Sequence, residues 1–278
     1  MAELFVVATP IGNLNDVSER ARRVLASVDR VLAEDTRHTG RLLQHLEIQR
    51  PLTSLHAHNE ASRVEQVVRW LSEGQSLALV SDAGTPLVSD PGSRLVHAIR
   101  EAGYRVTPIP GPSAVLAALV GSGLPMDRFS FLGFPARSGA DRRRTLAMIA
   151  EGPMTTVLFE SPERLVALLT DLQDLCADDR EVCVARELTK RFETFTTGPI
   201  SEVIQTYRDE PARGEVTVVV APAPPPDPEA ELGEAERLAR QLLAQGQAPS
   251  RTAREVARQT GVSRNQAYEL VQRVGSES

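Results

Sequence analysis

Short apolar runs and helical stripes alternate along the first half of the chain. Leu4 to Ala8, Arg30 to Ala33, Leu52 to Leu55, Leu77 to Val80 and Arg105 to Ile109 are runs of four or five residues, each followed by a polar or Gly- and Pro-rich turn. Continuous runs bounded by turn signals fit strands buried on both faces of a parallel sheet. Helices are expected between them: over Val17 to Ser27, after the turn Glu34-Asp35-Thr36-Arg37 with Thr36 as its cap, over Glu60 to Ser72, where Val64, Val67, Val68 and Leu71 recur at helical spacing, and over Pro91 to Ala102. The alternation runs on through Ala118, so five βα units are expected to build one parallel, two-sided sheet with right-handed crossovers.

After Gly121 to Pro125 the pattern changes. Strand-like segments at Phe129 to Phe134, Thr155 to Glu160, Glu181 to Glu187, Phe192 to Ile200 and Gly214 to Pro222 alternate with helical segments at Asp141 to Ala150, Pro162 to Leu175 and Ser201 to Tyr207. The shorter connections predict a second α/β domain with a mostly antiparallel sheet. A Pro-rich stretch then reads as an extended linker. Beyond it Glu234 to Gln245 predicts a helix, followed by two more around Thr260-Gly261-Val262. Ser250 or Thr252 is expected to cap the first of that pair and Ser263 the second, with Val256, Ala257, Val262, Ala267 and Leu270 facing inward. That spacing resembles a helix-turn-helix, which can contact nucleic acid or simply pack. The expected organisation is a first domain over 1–121, a second over 126–222, a linker over 223–231 and a helical tail over 232–278.

In such sheets a ligand sits beyond the carboxyl ends of the strands. Asp82, Ala83, Gly84 and Thr85 on one turn should therefore share a crevice with Pro110, Gly111, Pro112, Ser113 and Ala114 on the next. The first turn offers a carboxylate, close backbone access and a hydroxyl; the second offers backbone groups and a hydroxyl at a helix start. Glycine and proline also punctuate ordinary βα turns, so either loop alone is a modest signal. The first turn, TPIGNLND, lacks the G-x-G-x-x-G spacing of a dinucleotide fingerprint.

Composition narrows the picture. The 278 residues are 41% hydrophobic but only 4% aromatic, so the core should be aliphatic. No apolar run is long enough to span a bilayer, and the N-terminal residues enter a strand directly, which reads as a cytoplasmic protein without membrane contact. Cys176 and Cys183 are too few for a disulfide framework. His56 and His58 lack a third ligand, so no metal is expected. The net charge of −6 argues against indiscriminate nucleic-acid binding, yet basic residues cluster at Arg137 and Arg142 to Arg144, at Arg186, Lys190 and Arg191, and in the tail at Arg251, Arg254, Arg258, Arg264 and Arg273. Each cluster can also be a solvated face.

Six stretches in order, TPIGNLND, AEDTRHTGRLL, SDAGTPLVSDPG, PIPGPSA, FESPERL and RELTKRFET, closely resemble the bacterial ribosomal RNA small subunit methyltransferase I family, cytidine 2′-O-methyltransferases related to the tetrapyrrole (class III) methylases. The resemblance spans residues 8 to 195, and the helical tail is similar to that family's extension. It implies two α/β domains of the tetrapyrrole methylase type, with S-adenosylmethionine bound between them, in a homodimer acting on small-subunit ribosomal RNA. The cofactor residues it implies are Pro10, Ile11, Gly12 and Leu14, then Asp82, Ala83, Gly84 and Thr85, then Ser113 and Ala114, with Phe159 from the second domain. Asn15 stands where the family commonly has glycine, and Asn tolerates the positive φ such a position would need. RNA would be held by Arg142, Arg143, Arg144, Arg186, Arg191, Arg254 and Arg264, which can neutralise phosphates. Lys190 is the chain's only lysine; unlike arginine it can lose its proton, so it is a candidate base, with Glu187 and Glu193 as its ion-pair partners or as substitutes in that role. A methylase of a tetrapyrrole or a protein, or a non-enzymatic nucleic-acid-binding regulator, remain the alternatives.

Overall fold

β1 (Glu3–Val7) lies inside the first sheet because both of its faces are apolar: Leu4 and Val7 are wholly buried, on opposite sides of the strand. β2 (Arg30–Ala33), β3 (Leu52–Ser54), β4 (Leu77–Val80) and β5 (Arg105–Ile109) complete a parallel sheet in the order β3-β2-β4-β1-β5. The computed structural model describes residues 2–176, 179–225 and 228–276, divided into two units, Met1–Ala223 and Pro224–Ser278.

The connecting helices are α1 (Glu19–Ser27), α2 (Thr36–His45), α3 (Glu60–Ser72) and α4 (Ser93–Glu101). Strand alternation sorts them. Val31, Ala78 and Val80 pack with Leu25, Leu42 and Leu43 of α1 and α2, while Leu32, Leu77 and Leu79 pack with Val67, Leu71, Leu95 and Ile99 of α3 and α4. The first helix begins at Glu19 rather than Val17, with Ser18 as cap. Asp35 caps α2, not Thr36: its Oδ1 accepts a hydrogen bond of 2.7 Å from the Arg37 amide.

The fifth helix, α5 (Ala114–Ser122), departs from the expected arrangement. Its sequence AVLAALV is apolar around its circumference, and Val115, Ala118 and Leu119 pack with Val157, Cys183, Ala185 and Val219 of the second sheet. A helix without a polar face is not committed to the sheet it follows, and α5 packs on the second sheet.

The second sheet contains β6 (Phe129–Phe131), β7 (Thr155–Glu160), β8 (Glu181–Arg186), β9 (Thr194–Pro199) and β10 (Val216–Val220) in the order β6-β7-β10-β8-β9. β6 pairs in parallel with β7, and the other pairs are antiparallel. α6 (Gly139–Glu151), α7 (Leu165–Leu175) and α8 (Ile200–Asp209) cover the face opposite α5, around Leu158, Leu168, Val184, Ile204 and Val218.

The second unit is built from α9 (Pro228–Ala244), α10 (Pro249–Thr260) and α11 (Arg264–Ser276), with Ala235, Ala239, Val256, Val262, Ala267 and Leu270 in its core. α9 opens at Pro228, inside the stretch expected to be linker, because proline suits the first helical position. α10 likewise opens at Pro249, and neither Ser250 nor Thr252 caps it; the Thr252 hydroxyl is buried and donates to the Gln247 carbonyl. Ser263 does cap α11, accepting from the Gln266 amide at 3.3 Å while Gln266 accepts from the Ser263 amide at 3.0 Å.

Candidate functional site

The carboxyl ends of β1, β4 and β5 open onto a cleft of about 490 Å³ that faces the second sheet. Its floor is stitched by backbone. Thr9 and Gly84 exchange amide-to-carbonyl bonds of 2.8 and 3.1 Å, and the Thr85 hydroxyl donates to the Pro112 carbonyl at 3.1 Å. The two turns expected to share a crevice therefore touch. Gly84 has φ +79°, a conformation that L side chains rarely adopt. Leu87 at φ 75° and Ser89 at φ 69° continue this constrained loop, and such outliers gather at binding sites. The Ser113 hydroxyl faces the first turn of α5, 3.4 Å from the Leu116 amide, as its cap.

Ile11, Asp82, Ala83, Gly84, Thr85, Ser113, Ala114 and Phe159 line this cleft together. Pro10, Gly12 and Leu14 do not. Gly12 instead lies against the loop after β8, where a Cβ would stand 2.5 Å from Lys190 Cγ and 2.9 Å from Thr189 Oγ1. Leu14 opens a single 3₁₀ turn, Leu14–Asp16, and is 42% exposed. Asn15 sits within that turn and is absent from the positive-φ residues, so no left-handed conformation has to be tolerated there. Its amide donates to Asn13 Oδ1 at 3.0 Å.

The opposite wall comes from the second sheet: Phe134 and Phe159, whose ring centroids are 5.4 Å apart, Ser161 and Pro162, and Gly214 to Thr217 at the start of β10. Glu160 is at the same rim, but strand alternation turns its fully buried side chain to the other face from Phe159. There it accepts the Ser161 amide at 2.8 Å and pairs with Arg164.

Two acidic residues of the wall were not singled out from sequence. Glu34 follows β2 and Asp90 lies in the loop after β4; with Asp82 they place three carboxylates on one side of the cleft. Asp82 Oδ1 accepts the Asp35 amide at 2.9 Å. Burial, then the charges of Asp90 and Asp82, push the Glu34 carboxyl above the ordinary glutamate range. Burial also raises Asp90, partly offset by a hydrogen bond from Ser81, with Asp82 adding to the rise. The rule that ligands sit beyond strand ends could have flagged Glu34, which directly follows a strand. No local signal marks Phe134.

The expected base does not stand free. Lys190 Nζ is 2.9 Å from Glu187 Oε1 and 3.1 Å from Glu215 Oε2. Burial favours loss of its proton, but the two carboxylates outweigh burial and raise the pKa above the ordinary lysine value. Glu187 Oε1 also accepts the Glu215 amide at 2.9 Å, and Glu193 accepts the Thr189 amide. These groups hold one another and brace the loop, and none of Lys190, Glu187 and Glu193 lines the cleft.

The arginines separate into two kinds. Arg142 is 9% exposed and bidentate to Asp171 Oδ2 at 2.9 and 2.6 Å, so it joins α6 to α7 and is closed to phosphate. Arg186 is half-buried with its Nε on the Thr194 hydroxyl. Arg143, Arg144, Arg191, Arg254 and Arg264 are exposed.

Two α/β sheets facing each other across an acidic, partly aromatic cleft define the class. Residues 3–204 match the model of the Tetrapyrrole (Corrin/Porphyrin) Methylases, and the chain belongs to that family. It is a methyltransferase whose methyl donor is S-adenosylmethionine. The chain is 45% identical to ribosomal RNA small subunit methyltransferase I of Synechocystis sp., over 97% of each protein. It is 48% identical to the protein of the same name from Xylella fastidiosa, over 95% of this chain and 97% of that one. Among solved structures, a cobalt precorrin-4 methyltransferase superposes with TM-score 0.61 at 15% identity, covering 79% of this chain and 94% of that one. Uroporphyrin-III C-methyltransferase of Thermus thermophilus, complexed with S-adenosylhomocysteine, superposes with TM-score 0.56 at 19% identity, covering 79% of this chain and 97% of that one.

Proposed function

We propose that this chain transfers the methyl group of S-adenosylmethionine to the ribose 2′-hydroxyl of a cytidine in small-subunit ribosomal RNA, within the cleft between the two sheets. The observation that carries the reading is the meeting of Asp82 to Thr85, Ser113, Ala114 and Phe159 on one cavity. Near-full-length identity to proteins named for small-subunit ribosomal RNA favours that substrate over a tetrapyrrole, since the tetrapyrrole enzymes share the fold at far lower identity.

The cleft fits the cofactor. A volume of about 490 Å³ lies in the range of small-molecule sites, Gly84 admits close backbone approach, and the Asp82 carboxylate complements a cation. When bound, S-adenosylmethionine supplies an electrophilic methyl group on a positively charged sulfur. Asp82 would accept from the cofactor's hydroxyl or ammonium groups, Phe134 and Phe159 would pack against a base, and the backbone around Gly84 would fix the reacting geometry. The acidic interior repels phosphate, so the RNA backbone would stay outside the cleft, on Arg143, Arg144 and Arg191, while one splayed nucleotide enters; the helical unit would offer Arg254 and Arg264 to phosphates separately.

The protein would act as a homodimer through an apolar face. Leu116 and Val120 of α5 are 52% and 68% exposed, and Phe192 and Phe195 stand exposed before and on β9, an edge strand. Phe195 packs over Gly121, leaving no room there for a Cβ, so the patches of α5 and β9 adjoin. A second copy of the chain would cover them. No helix among the described residues is long and apolar enough to cross a membrane, and a cytoplasmic location fits a ribosomal substrate.

Calorimetry with S-adenosylmethionine, followed by methylation of small subunits from cells lacking the gene and mapping of 2′-O-methyl cytidine, tests the reading. Binding without any methylation of ribosomal RNA would refute the substrate. Light scattering of V120E and F192E tests the dimer, which should dissociate.

A further inference from the structure

We infer that Glu34 is the general base that takes the proton from the ribose 2′-hydroxyl during methyl transfer. This rests on the reading of the cleft as the site of methyl transfer, and it replaces the lysine indicated by the sequence with a carboxylate that lines the cleft.

The argument starts from what the reaction lacks. A ribose hydroxyl is a weak nucleophile, and its proton must leave as the bond to carbon forms. The accepting group has to line the cleft, keep a lone pair free and hold a proton affinity suited to the exchange. Lys190 meets none of these conditions: it is off the cleft and donates to Glu187 and Glu215. Of the cleft carboxylates, Glu160 is turned away onto Arg164, and Glu215 is drawn to Lys190. Asp82 has one oxygen committed to the Asp35 amide, and Asp90 lies against Ser81. Glu34 makes no hydrogen bond or ion pair among the described residues, and of the cleft carboxylates it is the one whose proton affinity two like charges, Asp90 and Asp82, raise together.

Its surroundings favour proton uptake. The groups facing Glu34 are Asp82 at the end of β4 and Asp90 in the loop beyond, both acidic. Its chain neighbour Asp35 spends its charge on Arg37, at 2.9 Å. Across the cleft the charged groups are the pairs Glu160–Arg164 and Glu215–Lys190. Partial burial and two like charges therefore raise the basicity of this carboxylate, as a base working near neutrality requires. Among the described residues no group of three or more His, Cys, Asp or Glu is placed to hold a metal ion.

The step balances. The 2′-oxygen forms a bond to the methyl carbon as the carbon–sulfur bond breaks, and the breaking electron pair stays on sulfur, cancelling its charge. The hydroxyl proton passes to the Glu34 carboxylate and then to solvent.

The test uses the full-length enzyme with small ribosomal subunits in single-turnover methylation, alongside calorimetry with S-adenosylmethionine. E34Q should bind the cofactor as the wild type does and lose methyl transfer by roughly 100- to 10,000-fold. The wild-type rate should fall on an acidic limb, and D90N should move that limb to lower pH by removing a charge that raises Glu34. Wild-type turnover in E34Q, loss of cofactor binding in E34Q, or an acidic limb that D90N leaves in place would each overturn the assignment. Failure of the wild-type enzyme to bind cofactor would instead overturn the reading of the cleft. If E34Q does not fold, the response of the limb to D90N decides alone.

Discussion

The Lys190 ammonium donates to Glu187 Oε1 at 2.9 Å, and the same carboxylate oxygen accepts the Glu215 amide at 2.9 Å. One glutamate thus ties its own loop to the strand β10 that borders the cleft. Glu187 itself has φ 51° and Thr189 φ 65°, so the loop carries backbone strain that these contacts hold in place.

Lys190→Arg keeps a cation for both carboxylates and should retain turnover close to wild type; a hundredfold loss would reinstate the lysine as a base. Lys190→Met leaves both carboxylates without their cation and should lower stability by about 0.5–1 kcal/mol at pH 7, measured by urea unfolding. The Glu187 pKa is lowered, first by the Lys190 hydrogen bond, so its contribution is present above the ordinary 4.5 and is lost as pH falls through the folded value. The Lys190 pKa is raised, so its contribution is complete below 10.5 and is lost as pH climbs through the higher folded value. The difference between wild type and Lys190→Met should therefore shrink below the ordinary glutamate range and again in strong base.

Gly84→Val should damage cofactor binding and stability together. A branched side chain at φ +79° costs about 1–2 kcal/mol in backbone strain, and its Cβ would stand 3.2 Å from Ile11 Cγ2. Asp82→Ala removes an acceptor and should weaken S-adenosylmethionine binding by roughly ten- to a hundredfold in calorimetry. Unchanged affinity in both variants would move the cofactor site elsewhere.

Arg142→Ala and Arg143→Ala are neighbours in sequence with opposite expected effects. The first removes a bidentate tie between α6 and α7 and should cost about 1.5–3 kcal/mol, read as a lower Tm. The second, exposed, should leave Tm unchanged and reduce the salt dependence of RNA binding by about one ion. Equal Tm values for the two variants would contradict the structural role of Arg142.

Deleting residues from Pro224 onward should leave cofactor affinity and the unfolding of the first unit near wild type, because α9, α10 and α11 bury their own core. RNA affinity should fall, and its salt dependence should become shallower, because the phosphate contacts of Arg254 and Arg264 are lost. Full-rate methylation by the truncated protein would reduce the three helices to a packing module.

Periodicity and turn chemistry were enough to place the strands of both sheets and to bring the loops after β4 and β5 to one crevice, because burial on two faces and glycine at positive φ are local demands that each segment meets by itself. The same logic located the cap at Ser263, whose partner Gln266 is three residues away. It did not foresee where α5, Arg142 and Lys190 would find their partners. In each of these the deciding partner lies far along the chain or on another element: the second sheet for α5, Asp171 on α7 for Arg142, Glu215 for Lys190. A helix stripe tells which face is buried and not against what, and an arginine in a run of arginines looks alike whether it meets phosphate or a buried carboxylate. Glu34 is the sharpest case, because an acidic residue after a strand is unremarkable until the fold sets Asp82 and Asp90 beside it; the resulting rise in proton affinity is a property of three carboxylates sharing one half-buried wall and of no segment alone.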